Sequence, residues 1–246
     1  MLVLLPPSEG KTAPRRGAPV DLAKLSFPEL TERREALLDA LGALGTGEAA
    51  LTALGLSATQ AGELERNASV RTAPAAAASK VYTGVLFEHL RLAGLPASAR
   101  RRVLIASGLW GFTRPGDRIP AYRLSISARL PGFPGLASYW RPALQEAIPA
   151  SGLVLDLRSG GYAAAFAPRD ATVLAVRGLT ERAGERTVVS HMVKATRGDV
   201  ARLALEATPV PRTPQAVAEV VAASGRRVEL TRGKSGWSLD VIDSAG

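Results

Sequence analysis

The chain has 246 residues, 46% hydrophobic and 22% charged, a balance that supports one compact domain with a sizeable core. Its 31 Lys and Arg against 22 Asp and Glu give a formal charge of +9 and a pI near 10.6, which favours a polyanionic partner, although an arginine-rich composition alone produces such a charge too. The absence of cysteine excludes disulfides, thiol catalysis and Cys-based metal sites; with only His89 and His191, neither a metal nor a cofactor is expected.

In chain order, Met1 to Leu5 reads as a buried strand stopped by two prolines, not as a signal peptide. The polar loop "PPSEGKTAPRRG" follows. From about 28 to 70, leucines at helical spacing (Leu30, Leu37, Leu38, Leu41, Leu44) broken by glycines predict a helical insertion of two or three short helices. A second strand spans Arg102 to Ala106, "ASYWRPALQEAI" is an amphipathic helix, and "GLVLDL" is a third strand. "ATVLAVRGL" and "RTVVSHMV" read as paired strands, which puts Ser190 and His191 at a strand end and Lys194, Arg197 and Arg202 on a following helix. About 212–243 holds a helix and a β-hairpin around Gly233 to Gly236. The fold class is therefore α/β, a single domain over 1–246 with a central mixed sheet flanked by helices. No apolar stretch reaches the roughly 20 residues that span a bilayer, so a cytoplasmic protein without membrane contact is expected.

Three of the strands run into polar loops: "PPSEGK", "SGLWGFTRPGD" and "RSGGY". In open α/β sheets, ligands gather where strand ends meet loops, so either a shared pocket or three ordinary turns is implied. "GKT" at Gly10 and "GKS" at Gly233 are not phosphate-binding loops of the Walker type, because Leu5 and Val228 stand where that motif needs glycine. The first loop retains Ser8, Glu9 and Lys11, in which hydroxyl and amine suit an anion and the carboxylate suits proton transfer. The central stretch offers Ser107, Arg114 and Arg123 for phosphate, with Trp110 and Tyr122 as stacking surfaces; a bracing pair of Arg114 with Asp117 is the structural alternative. Lys194 and Arg197 share a helical face suited to phosphate, and His191 is either a general base or structural.

The blocks "LLPPSEGKT", "VYTG", "SGLWGFTRPGDRIPAYRL", "LVLDLRSGGY" and "SHMVKATRG", in this order and spacing, resemble the YaaA peroxide-stress protein family over residues 1 to about 205. The resemblance implies the family's own single-domain α/β fold, cytosolic residence, protection from hydrogen peroxide by limiting free iron and its damage to DNA, and DNA binding through a helix-hairpin-helix-like element in a basic cleft. The pattern falls on Ser8, Lys11, Tyr82 to Gly84, Ser107, Gly108, Gly111, Arg114, Pro115, Asp117, Tyr122 and Arg123. Further along it falls on Ser159, Tyr162, Ser190, Lys194, Arg197 and Gly198. Ser125 and Gly161 replace acidic residues of the enterobacterial pattern, so a carboxylate role there is either lost in this chain or moved to Glu9 or Asp156. The glycine-rich 42–67 region is the place for the hairpin, yet Glu48, Glu63 and Glu65 oppose phosphate there.

Two function classes follow. One is a DNA binder that grips the backbone without reading sequence, through Ser8, Lys11, Ser107, Arg114, Tyr122, Arg123, Ser159, Lys194 and Arg197. The other is an enzyme on a nucleotide, nucleoside or nucleobase, with Glu9, Lys11, Asp156 or Ser159 as candidate catalytic groups. An enclosed pocket of nucleotide size favours the second, and a long shallow groove the first. A third alternative has the loops assembling an oligomer interface.

Overall fold

The computed structural model describes residues 1–182, 185–187, 190–234 and 236–244. In chain order the elements are β1 (Leu2–Leu5), α1 (Thr31–Ala43), α2 (Glu48–Leu54), α3 (Gly62–Ala68), β2 (Ala76–Ala77), α4 (Ala78–Val81), α5 (Val85–Leu90) and α6 (Ala97–Arg100). Then come β3 (Val103–Ser107), β4 (Gly111–Thr113), β5 (Arg118–Ile119), α7 (Leu136–Ala147), β6 (Ser151–Asp156) and α8 (Gly160–Ala165). The last are β7 (Asp170–Arg182), β8 (Glu185–Thr187), α9 (Ser190–Glu206), α10 (Pro214–Ala223), β9 (Arg227–Gly233) and β10 (Gly236–Ser244).

The main sheet runs β4-β3-β1-β6-β7-β10-β9, and β8 pairs with β7 off that path. Neighbours from β3 through β10 are parallel, whereas β4, β8 and β9 are antiparallel, so the sheet is mixed. β1 and β3 read as continuous apolar runs because both faces of their part of the sheet are buried, successive residues Val3, Leu4 and Leu5 and all of Val103–Ser107 being buried. Val3, Leu4 and Leu5 are fully buried, each worth about 1.5–3 kcal/mol relative to exposure.

The 28–70 segment is helical, as its leucine spacing predicts, and it seats Leu37, Leu38, Leu41, Leu54 and Leu64 in the core. Its register is fixed by Arg34. This fully buried guanidinium donates to the carbonyls of Ser26, Phe27, Trp110 and Phe112, and burial pulls its pKa down to about 10.

The expected strand through "RTVVSHMV" ends at Thr187, and the helix starts at Ser190 instead. Locally the β-branched residues suit a strand, but α9 packs on β7. A Cβ on Gly178 of β7 would meet the Val193 Cα at 3.0 Å, so the chain there lies flat on the sheet as a helix, outside the ladder. The roles expected of the Ser190 and His191 side chains lie outside the described residues.

Candidate functional site

β1 and β6 are parallel neighbours, so their following loops emerge at the same sheet edge. There the loop after β1 (Pro6 to Gly10), the entry to α5 (Thr83 to Phe87), Ser159 of the β6 loop, Tyr162 of α8, and Lys194 and Arg197 of α9 line a cavity of about 430 Å³. The helix joins them because α9 crosses α5 at Gly198, where a Cβ would lie 2.4 Å from the Leu86 carbonyl oxygen. Only glycine permits that approach, which brings Lys194 and Arg197 of α9 to the cavity.

The first loop is held in shape from inside. The Ser8 hydroxyl donates to the Gly10 carbonyl at 2.5 Å and accepts from the Thr83 N–H at 3.0 Å, tying "SEG" to the "YTG" turn. Lys11 bridges Tyr82 as a strand partner, and its ammonium donates to the carbonyls of Ser8 at 2.9 Å and Glu9 at 3.5 Å. Its Nζ stands 4.3 Å from the centre of the Tyr122 ring, where burial pushes its pKa down to about 8. The Glu9 carboxylate, which would otherwise be its counter-ion, pairs with Arg123 at 2.8 Å.

Arg197 donates its Nε to the Val176 carbonyl at 3.1 Å, and burial lowers its pKa. Lys194 is exposed at the rim. Ser159 lines the cavity and precedes α8 without a side-chain cap bond. Burial raises the Tyr162 phenol above its usual range, and the negative charge of Glu9 adds to that.

The remaining candidates lie elsewhere. Asp156 gives both oxygens to Arg158, at 2.9 and 2.7 Å, and Arg158 also holds the Tyr162 and Phe166 carbonyls. The carboxylate therefore braces the β6 loop and is not placed to act as a base. The i,i+2 spacing in "DLR" was the available signal for that pair.

Ser107 and Tyr122 are buried. The Tyr122 hydroxyl bonds Ser107 Oγ at 2.6 Å and the Tyr82 hydroxyl at 2.9 Å, and Ser107 Oγ accepts the N–H groups of Leu109 and Trp110. Burial drives the Tyr82 phenol up to about 12 and Tyr122 well above its ordinary value. Trp110 is 0% and Tyr122 1% exposed, so neither offers a face to a base as the sequence suggests; they pack edge to face in the core.

Arg114 is on the opposite edge. β3 is followed at once by antiparallel β4, which carries the chain back toward the start of β3, so Arg114, which follows β4, does not reach the cavity. Arg114 donates to the Arg101 carbonyl at 2.8 Å and stacks over Phe27 at 5.4 Å. With Arg100 and Arg101 it lines a separate depression of about 350 Å³. Asp117 does not pair with the Arg114 guanidinium; it accepts the Arg114 backbone N–H and both the N–H and hydroxyl of Ser26. Much of the central stretch's donor density thus serves bracing. Asn67 adds to it, clamping the Arg123 backbone in both directions.

A larger hollow, about 730 Å³, lies between the 207–213 segment and α10, but its lining is mostly apolar and holds none of these groups. Among the described residues no three His, Asp or Glu side chains converge as a metal site, and no helix is long and apolar enough to cross a membrane. Across 42–67, which holds α2 and most of α3 and where a helix-hairpin-helix was expected, Arg66 of α3 is the one Lys or Arg, and it pairs with Glu63.

Fold and site define a mixed α/β protein with a ligand-sized cavity at the carboxyl ends of its parallel strands. The family model described as peroxide stress protein YaaA matches residues 1–223, so the chain belongs to the YaaA peroxide-stress protein family. It is 46% identical over 98% of both chains to a UPF0246 protein of Streptomyces coelicolor. It is 38% identical to one of Corynebacterium efficiens, over 95% of this chain and 97% of the relative, and 39% identical to one of Corynebacterium glutamicum, over 93% and 95%.

Proposed function

We propose that this protein serves peroxide defence by taking up a phosphate-bearing small molecule of the nucleotide class in the strand-end cavity, where it is held or transformed. The observation that carries this is the enclosure: about 430 Å³, within the usual range of small-molecule sites, with Ser8, Ser159, Lys194 and Arg197 converging on one space. Such a volume suits one nucleotide and is too short for a duplex. The limitation of free iron is, on this account, a consequence of that chemistry. A chain with no cysteine and two histidines is a poor iron ligand set.

A second reading, DNA binding through the phosphate backbone, is favoured by the other edge. Arg100, Arg101 and Arg114 surround a depression whose one acid, Asp117, is committed to Ser26 and the Arg114 N–H. Fluorescence anisotropy with duplex and single-stranded DNA across a salt series, competed with nucleoside mono- and triphosphates, separates the two. Nucleotide binding weakened about tenfold in Lys194→Ala supports the cavity. DNA binding with a steep salt slope that Arg114→Ala flattens, with nucleotides failing to compete, replaces it with the DNA reading.

A further inference from the structure

The ion pair between Glu9 and Arg123 is unequal in three respects. Arg123 is 18% exposed and Glu9 51%, so a nearly buried cation is matched by a carboxylate half in water. The contact uses one oxygen and one terminal nitrogen, Oε2 to Nη1, while the buried Arg123 Nε has no partner. A guanidinium fork fits a carboxylate or phosphate by two parallel bonds, and here one of its edges is left unused. Lastly, Asn67 clamps the cation's backbone next to its side chain, at 2.7 and 2.8 Å, whereas the Glu9 loop is tied through Ser8 and Lys11 and leaves the Glu9 carboxylate half in water, beside Gly10, whose surroundings are open.

Glu9 lines the cavity and Arg123 does not, so the carboxylate stands between them. Lys11, whose Nζ lies 3.5 Å from the Glu9 carbonyl oxygen, stands beside the pair and, like Arg123, behind the residues that line the cavity. Two cations therefore share this one carboxylate, since the nearby Glu63 is paired with Arg66. A single negative charge under-compensates the pair, and a phosphate dianion matches it.

We propose that Glu9 is an internal stand-in for the ligand: its carboxylate holds the anion position on Arg123 until the phosphate of an incoming ligand displaces it and takes the fork together with Lys11. This rests on the cavity being a ligand site, as proposed above. Glu9, already half in water, swings outward at little desolvation cost, and the site gains specificity for a phosphate group over a neutral ligand.

The test is titration of nitrogen-15-labelled protein with inorganic phosphate and, separately, with a nucleoside monophosphate. The arginine Nε–H signals are followed by NMR and affinities by calorimetry, in wild type, Glu9→Gln, Arg123→Met and Lys194→Ala. Both probes should move the Arg123 Nε signal, Glu9→Gln should tighten binding about tenfold by removing the competitor, and Arg123→Met should weaken it by a similar factor. If only the nucleotide binds, the same signal and the same Glu9→Gln comparison decide, the phosphate being then held as an ester. Binding that Lys194→Ala weakens, with an unmoved Arg123 signal and no gain in Glu9→Gln, overturns the stand-in and leaves the cavity as ligand site. No binding of either probe to any variant overturns both.

Discussion

The two edges of the same parallel strands both carry arginines, and they use them differently. At the carboxyl edge, loops from β1 and β6 meet α5 and α9 and enclose a space; at the amino edge, Arg100, Arg101 and Arg114 border an open depression. The difference is topological. Parallel neighbours send successive loops to one end, where they converge, while the antiparallel return of β4 delivers Arg114 to the other end alone. Charge by itself makes neither a site; convergence of several chain segments does.

The largest effect expected is from Arg34→Met. It leaves the carbonyls of Ser26, Phe27, Trp110 and Phe112 without their donor and unties the amino-edge segment, costing about 3–5 kcal/mol in urea unfolding. An unchanged urea midpoint would mean that the insertion is held by its leucines alone.

Gly198→Ala strikes the opposite edge. Its methyl meets the Leu86 carbonyl oxygen at 2.4 Å, so α9 must move off α5, at about 1–3 kcal/mol and with nucleotide affinity lowered because Lys194 and Arg197 move with it. Retained affinity in that variant would detach α9 from the cavity.

Exchanging the edges directly gives a finer cut. Lys194→Ala should weaken nucleotide binding about tenfold while stability stays within about 0.5 kcal/mol, and Arg114→Ala should leave nucleotide affinity unchanged. Equal losses from both variants would dissolve the distinction between the edges.

A further effect is in pH. Folded Lys11, with a pKa of about 8, has released its proton where the unfolded lysine still holds one. Stability should therefore rise with pH from about 8 toward 10, as the cost of burying the charge is relieved. Above about 10 the raised phenols of Tyr82, Tyr122 and Tyr162 act in the opposite sense, since the unfolded tyrosines ionise first. Lys11→Met should flatten the rise between 8 and 10 in urea titrations; a slope that survives that variant would place its source elsewhere.

Sequence alone determined the apolar strands at β1, β3 and β6, the helical insertion, the terminal hairpin and the family, because each rests on local periodicity, turn chemistry or a contiguous motif. It also picked Ser8, Ser159, Lys194 and Arg197, which the fold brings to one cavity. Tertiary structure decided the rest. Trp110 and Tyr122 look like stacking platforms in a polar loop but are buried, since aromatic rings in a donor-rich stretch read the same whether they face solvent or core. Asp156 looks like a free carboxylate until Arg158 folds over it, and Arg114 looks adjacent to Arg123 until the strand reversal between β3 and the later loop sends them to different places. Spacing along the chain fixes which residues share an element; which elements share an edge is set by strand order, and that depends on contacts between segments a hundred residues apart.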